Sequence, residues 1–138
     1  MSRSLLVVEG GSALFGLDSP LVREIVSPRS LTRLPGAPPH VRGLLTVRGT
    51  LVSVIDLAHL LAVGTVSAPE PSVVILVTEG RSLGVLVDDV HEVQEFPEDE
   101  LLPPPAGDAG HLVRSLGHFG GRVVLDVDVR ELVRLTLA

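Results

Sequence analysis

The hydrophobic positions of this chain come in short runs, each ended by glycine, proline or a polar pair. Leu5–Val8 and Ala13–Leu17 flank Glu9-Gly10-Gly11-Ser12, the glycine-rich centre that a tight hairpin needs. Leu21–Val26 is a further β-type run. The stretch Leu34-Pro35-Gly36-Ala37-Pro38-Pro39 is a loop that no helix or central strand tolerates. Gly43–Val47 and Leu51–Ile55 flank Arg48-Gly49-Thr50 and predict a second hairpin, after which Asp56 caps a short helical turn over Asp56–Leu61. A connector over 63–71 leads to strands at Ser72–Val77, Leu83–Val87 and Val90–Phe96. Pro103-Pro104-Pro105 is a second proline loop, and Val113–Phe119 and Arg122–Val127 form a last hairpin around Gly120-Gly121. Asp128-Val129-Arg130-Glu131 then opens a terminal helix with the spacing of a capping box.

The second half replays the first in register. A shift of 68 pairs Gly16 with Gly84, Val22 with Val90, Glu24 with Glu92, Ile25 with Val93, Leu34 with Leu102 and Pro35 with Pro103. A shift of 72 pairs Gly49 with Gly121, Val52 with Val124, Asp56 with Asp128 and Leu60 with Leu132. Chance matching of aliphatic runs does not align glycine, proline, glutamate and aspartate as well. The offset changes between Pro35 and Gly49, in loop-like sequence where insertions are tolerated. The expectation is one domain over 1–138 made of two related β-rich lobes, at about 1–66 and 67–138.

Composition narrows the function. The chain has 138 residues and is 45% hydrophobic, enough for a buried core. Aromatic residues make up 2%, so the core and any adhesive patch are aliphatic. All 11 basic residues are arginine, and 17 acids leave a net charge of −6, which argues against a nucleic-acid binder. The lack of cysteine excludes disulfides, thiolate metal sites and cysteine nucleophiles. No run approaches the length of a membrane span, and Leu5–Val8 is too short for a signal peptide, so a protein without membrane insertion is expected.

No catalytic or metal-binding constellation emerges. No serine sits in a Gly-x-Ser-x-Gly elbow, and the five histidines contain neither His-Glu-x-x-His nor an i, i+4 pair. Asp88 and Asp89 point to opposite faces of a strand and read as a solvated edge rather than a cation site. Asp56 and Asp128 read as helix caps, and Glu95–Glu100 as a solvated loop. No cofactor is called for. What remains is asymmetry between the halves: Arg48, at a hairpin tip, has Gly120 as its counterpart. It is either a solvated turn residue or a binding group. Val22 and Val90 are core or groove positions, and Gly43 and Gly84 mark turns or close approaches.

Leu34–Leu57 resembles the signature segment of the CheW family of bacterial chemotaxis coupling proteins. The shared pattern is a proline loop, Gly43, four residues, Arg48-Gly49, and the strand end Val52-Ser53-Val54-Ile55-Asp56-Leu57. Val22-Arg23-Glu24-Ile25-Val26 and Gly84-Val85-Leu86-Val87-Asp88-Asp89-Val90-His91-Glu92-Val93 resemble two further family segments, and the likeness spans residues 4–137. It implies an all-β fold of two interlocked, five-stranded SH3-like barrels. It also implies a non-enzymatic adaptor, joining the cytoplasmic tip of a methyl-accepting chemoreceptor to the regulatory domain of a CheA-type histidine kinase. Such a protein would be cytoplasmic and recruited to receptor arrays at the inner face of the membrane. By the same resemblance, Val22, Gly43, Arg48, Gly84, Val90 and Val93 would form the receptor groove, and Glu24 would contact the kinase. Thr46-Val47 replaces the usual Asn-Leu, and Ser53 a proline. Leu102 and Gly107 stand where relatives often place a charged and an aromatic kinase contact. A second reading is therefore a receptor binder that does not recruit the kinase. A third, of another class, is a small-molecule or enzymatic barrel, for which no site is found.

Overall fold

A computed structural model describes residues 1–104, 106 and 111–137. The strands are β1 (Ser2–Gly10), β2 (Ala13–Asp18), β3 (Val22–Val26), β4 (Val41–Val47) and β5 (Thr50–Asp56), followed by the one-turn helix α1 (Leu57–Leu60). Then come β6 (Ser72–Thr78), β7 (Arg81–Val87), β8 (Asp89–Pro97), β9 (Val113–Phe119), β10 (Arg122–Val127) and helix α2 (Val129–Leu137). Every run read as a strand is one, although Leu21 belongs to a 3-10 turn over Ser19–Leu21. The acidic segment is only partly loop: Glu95–Pro97 completes β8, and Glu98–Glu100 is a 3-10 turn. Both helix caps form as read, with Asp56 Oδ1 accepting from the His59 amide and Asp128 Oδ1 from the Glu131 amide, each at 3.1 Å.

The strands build two five-stranded sheets, β8-β1-β2-β10-β9 and β3-β6-β7-β5-β4. In each, the loop after one edge strand bridges to the opposite edge, Leu102 to Leu116 and Thr32 to Leu44, curling the sheet into a small barrel. Barrel one, holding β1, and barrel two, holding β3, each draw strands from both halves of the chain, so the two barrels are interlocked. The repeat is visible in the pairing itself. Gly16 faces Asp126 across the parallel β2/β10 pair as Gly84 faces Val54 across β7/β5. The bulges recur too: Val41/Gly43 in β4 matches Val113/Ser115, the same stretch of β9. One assignment shifts. The bridges make Thr32, not Leu34, the counterpart of Leu102, because two of the second half's four extra residues fall before Leu102 and two after it.

The interlock explains why the central strands are hydrophobic on both faces. On β1, Leu5 and Val7 point into barrel one, while Leu6 and Val8 join a core shared between the barrels. On β6, Val73 and Ile75 fill barrel two, while Val74 and Leu76 enter the shared core. Phe15, Leu17, Leu83, Val85 and Leu132 complete that shared layer. Barrel interiors this small need glycine where strands approach. A Cβ on Gly16 would meet Leu5 Cδ1 at 2.7 Å, and one on Gly84 would meet Val73 Cγ1 at 2.8 Å and Val54 Cγ2 at 3.0 Å.

Three carboxylates stitch the loops and barrels together. Asp88 is not a solvated edge: it accepts from the amides of Gly11, Ser67 and Ala68 at 2.8, 2.9 and 2.7 Å, satisfying two loops at once. Asp56 takes, besides its cap, Arg42 Nη1 at 3.1 Å and the Val66 amide at 2.8 Å. Asp126 is fully buried and bound by Arg3, by Ser115 Oγ at 2.7 Å and by Arg114 Nε at 3.2 Å. Arg114 also reaches Asp18. Burial pulls the Arg114 guanidinium down, but the Asp126 and Asp18 carboxylates outweigh it and hold it above its usual value.

Gly43 (φ +147°) is the tighter of the two glycines in barrel two, since a Cβ there would meet the Thr32 carbonyl oxygen at 2.5 Å. Gly84→Ala is expected to cost about 1–3 kcal/mol through overpacking. Gly43→Ala should cost more, because a bridged backbone carbonyl cannot move aside. Urea unfolding followed by far-UV circular dichroism checks the order. Burial, aided by the nearby His59, holds the His40 imidazole below its usual 6.5. The unfolded chain then binds a proton that the folded chain disfavours, so this contribution is complete above pH 6.5 and falls away below it. His40→Gln should flatten the change in urea midpoint between about pH 7.5 and about pH 5.5.

Candidate functional site

Barrel two places three of the seven candidate residues on one rung. Reading across its five strands, Glu24 on β3 pairs with Ile75, Ile75 with Gly84, Gly84 with Val54, and Val54 with Gly43. Ile75 and Val54 fill the barrel, and both glycines are buried beside them. Gly43 and Gly84 therefore shape the barrel from within and present no side chain to a partner. Glu24, on the edge strand, closes the rung at the surface with its side chain 22% exposed. In barrel one the same rung runs Val7, Gly16, Asp126, Ser115, so the buried aspartate occupies the place of Val54.

Arg48 completes this end of barrel two. Its Nε donates to Glu24 Oε2 at 2.7 Å, although its side chain stays 81% exposed. That hydrogen bond, reinforced by the carboxylate charge, holds the guanidinium above its usual value. The hairpin tip has φ +50° at Arg48 and +81° at Gly49, the positive pair that a tight two-residue hairpin turn requires. In the second repeat the same turn is Gly120-Gly121, with φ +56° and +78°. Arginine thus holds a left-handed conformation that glycine adopts freely at the equivalent place, as Glu79 (φ +53°) does where its counterpart is Gly11 (φ +58°). Beside the ion pair lies a cleft of about 380 Å³ whose walls include Val26, Arg29, Leu45 and Val47.

The remaining candidates lie at the shared core and on barrel one. Val22 and Val90 are half-buried and pack on the shared core from opposite barrels, opposite Leu76 and Val8. Val93, opposite Leu6 on β8, is 54% exposed. The structure thus joins Arg48 directly to Glu24, sets Val22 and Val90 on one core, and leaves Val93 outward. Leu102 is half exposed; Gly107 lies outside the described residues. Sequence reasoning missed the cleft and the exposed Ile25, at 45%. The alternation Val22, Glu24, Val26 along β3 signalled one inward face, and the match of Ile25 to Val93 marked the other. Among the described residues no cluster of histidine and carboxylate side chains could hold a metal ion, and no helix is long and apolar enough to cross a membrane.

Comparison with known proteins agrees with this architecture. A CheW-like domain model matches residues 4–136. The chain is 30% identical over 137 residues to chemotaxis protein CheW of Klebsiella aerogenes, covering 96% of this chain and 82% of that protein. It is 32% identical over 121 residues to protein FrzA of Myxococcus xanthus, covering 85% and 76%. The crystal structure of the scaffolding protein TtCheW from Thermoanaerobacter tengcongensis matches with a TM-score of 0.81 at 27% identity, over 93% of this chain and 90% of that one. With two interlocked SH3-like barrels and a family match over nearly its whole length, the chain belongs to the CheW-like domain family of chemotaxis adaptors and scaffolds.

Proposed function

We propose that this chain acts by binding alone, coupling the cytoplasmic tip of a methyl-accepting chemoreceptor to the regulatory domain of a CheA-type histidine kinase, without catalysis or cofactor. The observation that carries the reading is Arg48, an exposed guanidinium kept in a left-handed turn where its repeat counterpart is glycine. A helical hairpin tip offers an apolar face and exposed carbonyl or carboxylate groups at its turn. Val22 and Val90 supply aliphatic surface continuous with the shared core, Val93 adds an exposed side chain, and Arg48 supplies a charged donor. Glu24, next to Arg48 but on the edge strand, faces the kinase in this reading. Gly43 and Gly84 contribute through the shape of barrel two. The protein works in the cytoplasm, recruited to receptor arrays at the inner face of the membrane.

Arg48→Gly separates binding from folding. Loss of a charge-assisted contact should weaken binding of a receptor cytoplasmic hairpin about tenfold. The melting temperature should stay within about 2 °C or rise, because an exposed ion pair adds little and glycine relaxes the turn. A large fall in melting temperature would return Arg48 to a structural role. Sedimentation with the receptor hairpin and the kinase regulatory domain should give a ternary complex. Receptor binding without kinase recruitment would instead identify an uncoupled adaptor, a reading motivated by Leu102, which is aliphatic and half exposed.

A further inference from the structure

The repeat sets three arginines of the second half against three alanines of the first. Arg81, at the start of β7, and Arg130 and Arg134, on α2, stand where the first half has Ala13, Ala58 and Ala62. All three line a cleft of about 230 Å³ between the β6–β7 hairpin and α2. The equivalence holds in space as well. Arg130 Nη1 donates to Thr78 Oγ1 at 3.0 Å, and at the matching place a Cβ on Gly10 would meet Ala58 Cβ at 3.7 Å. In the first half the chain beyond α1 turns back over its hairpin, the Val63 carbonyl accepting from the Ser12 amide at 3.0 Å. In the second half α2 runs on to Leu137, and the space beside the hairpin stays open.

The same architecture is built with alanine at each equivalent place, and the arginines carry two costs. Arg130 lies in the first turn of α2, where a cation opposes the helix dipole, and Arg134, four residues on, puts a like charge on the same face. Glu131 offsets only Arg134, accepting from its Nε at 2.9 Å, and Asp128 is occupied as the cap. Arg81 and Arg130 donate to neutral oxygens, the Leu137 carbonyl and the Thr78 hydroxyl, and among the described residues neither has a carboxylate partner. We infer that this cleft binds a small dicarboxylate, one carboxylate on Arg81 and the other on Arg130. A guanidinium takes a carboxylate through two parallel hydrogen bonds. Phosphate is the poorer fit, since it gathers its charge on one centre while Glu79 and Glu131 stand in the cleft wall. The volume lies below the roughly 300–1,000 Å³ of sites for drug-sized ligands, which suits a ligand of a few carbons. None of the candidate receptor or kinase residues lines this cleft, so the inference stands apart from the proposed coupling.

Equilibrium dialysis of the chain against labelled succinate, at about 0.02 M salt, should give saturable binding of about one molecule per chain with a Kd below about 1 mM. Arg81→Gln and Arg130→Gln each keep an amide donor but lose the charge, and each should weaken binding at least about tenfold. Acetate or inorganic phosphate at the same concentration should leave most of the succinate bound. Thermal melts followed by circular dichroism should show both variants folded, with added succinate raising the melting temperature of the parent alone. The two competitions are made on the parent and decide the matter even where a variant fails to fold. Absence of saturable binding up to about 10 mM succinate overturns the inference. So does binding indifferent to either substitution, or displacement of succinate by acetate or phosphate at equal concentration.

Discussion

Everything in this molecule depends on a layer of apolar side chains, aliphatic but for Phe15, that belongs to neither barrel. Leu6 and Val8 from β1, Phe15 and Leu17 from β2, Val74 and Leu76 from β6, and Leu83 and Val85 from β7 all turn away from their own barrel interiors and meet between them. A barrel of five short strands has room inside for only a few side chains: barrel one holds little more than Leu5, Val7, Leu14, Phe96 and Val124. Neither interior is a sufficient core for a stable domain. The shared layer supplies what both lack, and the strand exchange makes separation of the barrels equivalent to unfolding.

That constraint sorts the candidate residues by what they can do. Gly43 and Gly84 lie on a rung that fills barrel two, and their importance is geometric. Val22 and Val90 sit at the margin of the shared layer, where apolar surface is already organised and a partner extends it at little cost in ordering. Glu24 closes the rung at its surface end, and Arg48 is held to it there while staying open to solvent. A ligand for either must compete with the other, which makes their pairing a property of the site rather than an ornament of the fold.

Much of the fold was legible in the chain. The strand boundaries follow from short aliphatic runs cut by Gly, Pro and Asp, and the duplication from glycine, proline and acid matches in register. Local periodicity carries no information about which sheet a strand joins, so the exchange of β1–β2 against β6–β7 had no signal beyond the family resemblance. The proline match misled at Leu34, since the second half has already gained two residues between β8 and Leu102. Asp88 and Asp126 were opaque because their partners are remote: Gly11, Ser67 and Ala68 for one, and Arg3, Ser115 and Arg114 for the other. Each member of the Arg48–Glu24 pair stood out alone, one as an asymmetry and one through resemblance. Only the fold shows that they touch.

The crossed topology also sets a timetable for a chain emerging from the ribosome. Barrel two takes β3, β4 and β5 from the first half but cannot close before β7 ends at Val87. The β1–β2 hairpin, made first, must wait for β8, β9 and β10, the last ending at Val127. Throughout that interval Leu5, Val7 and Leu14 lack the Phe96 and Val124 that will close over them inside barrel one, and pairing at such sequence separation is slow. The order of synthesis thus leaves the earliest strands exposed longest, and a nascent chain of this architecture depends on whatever shields that hairpin until the final strands arrive.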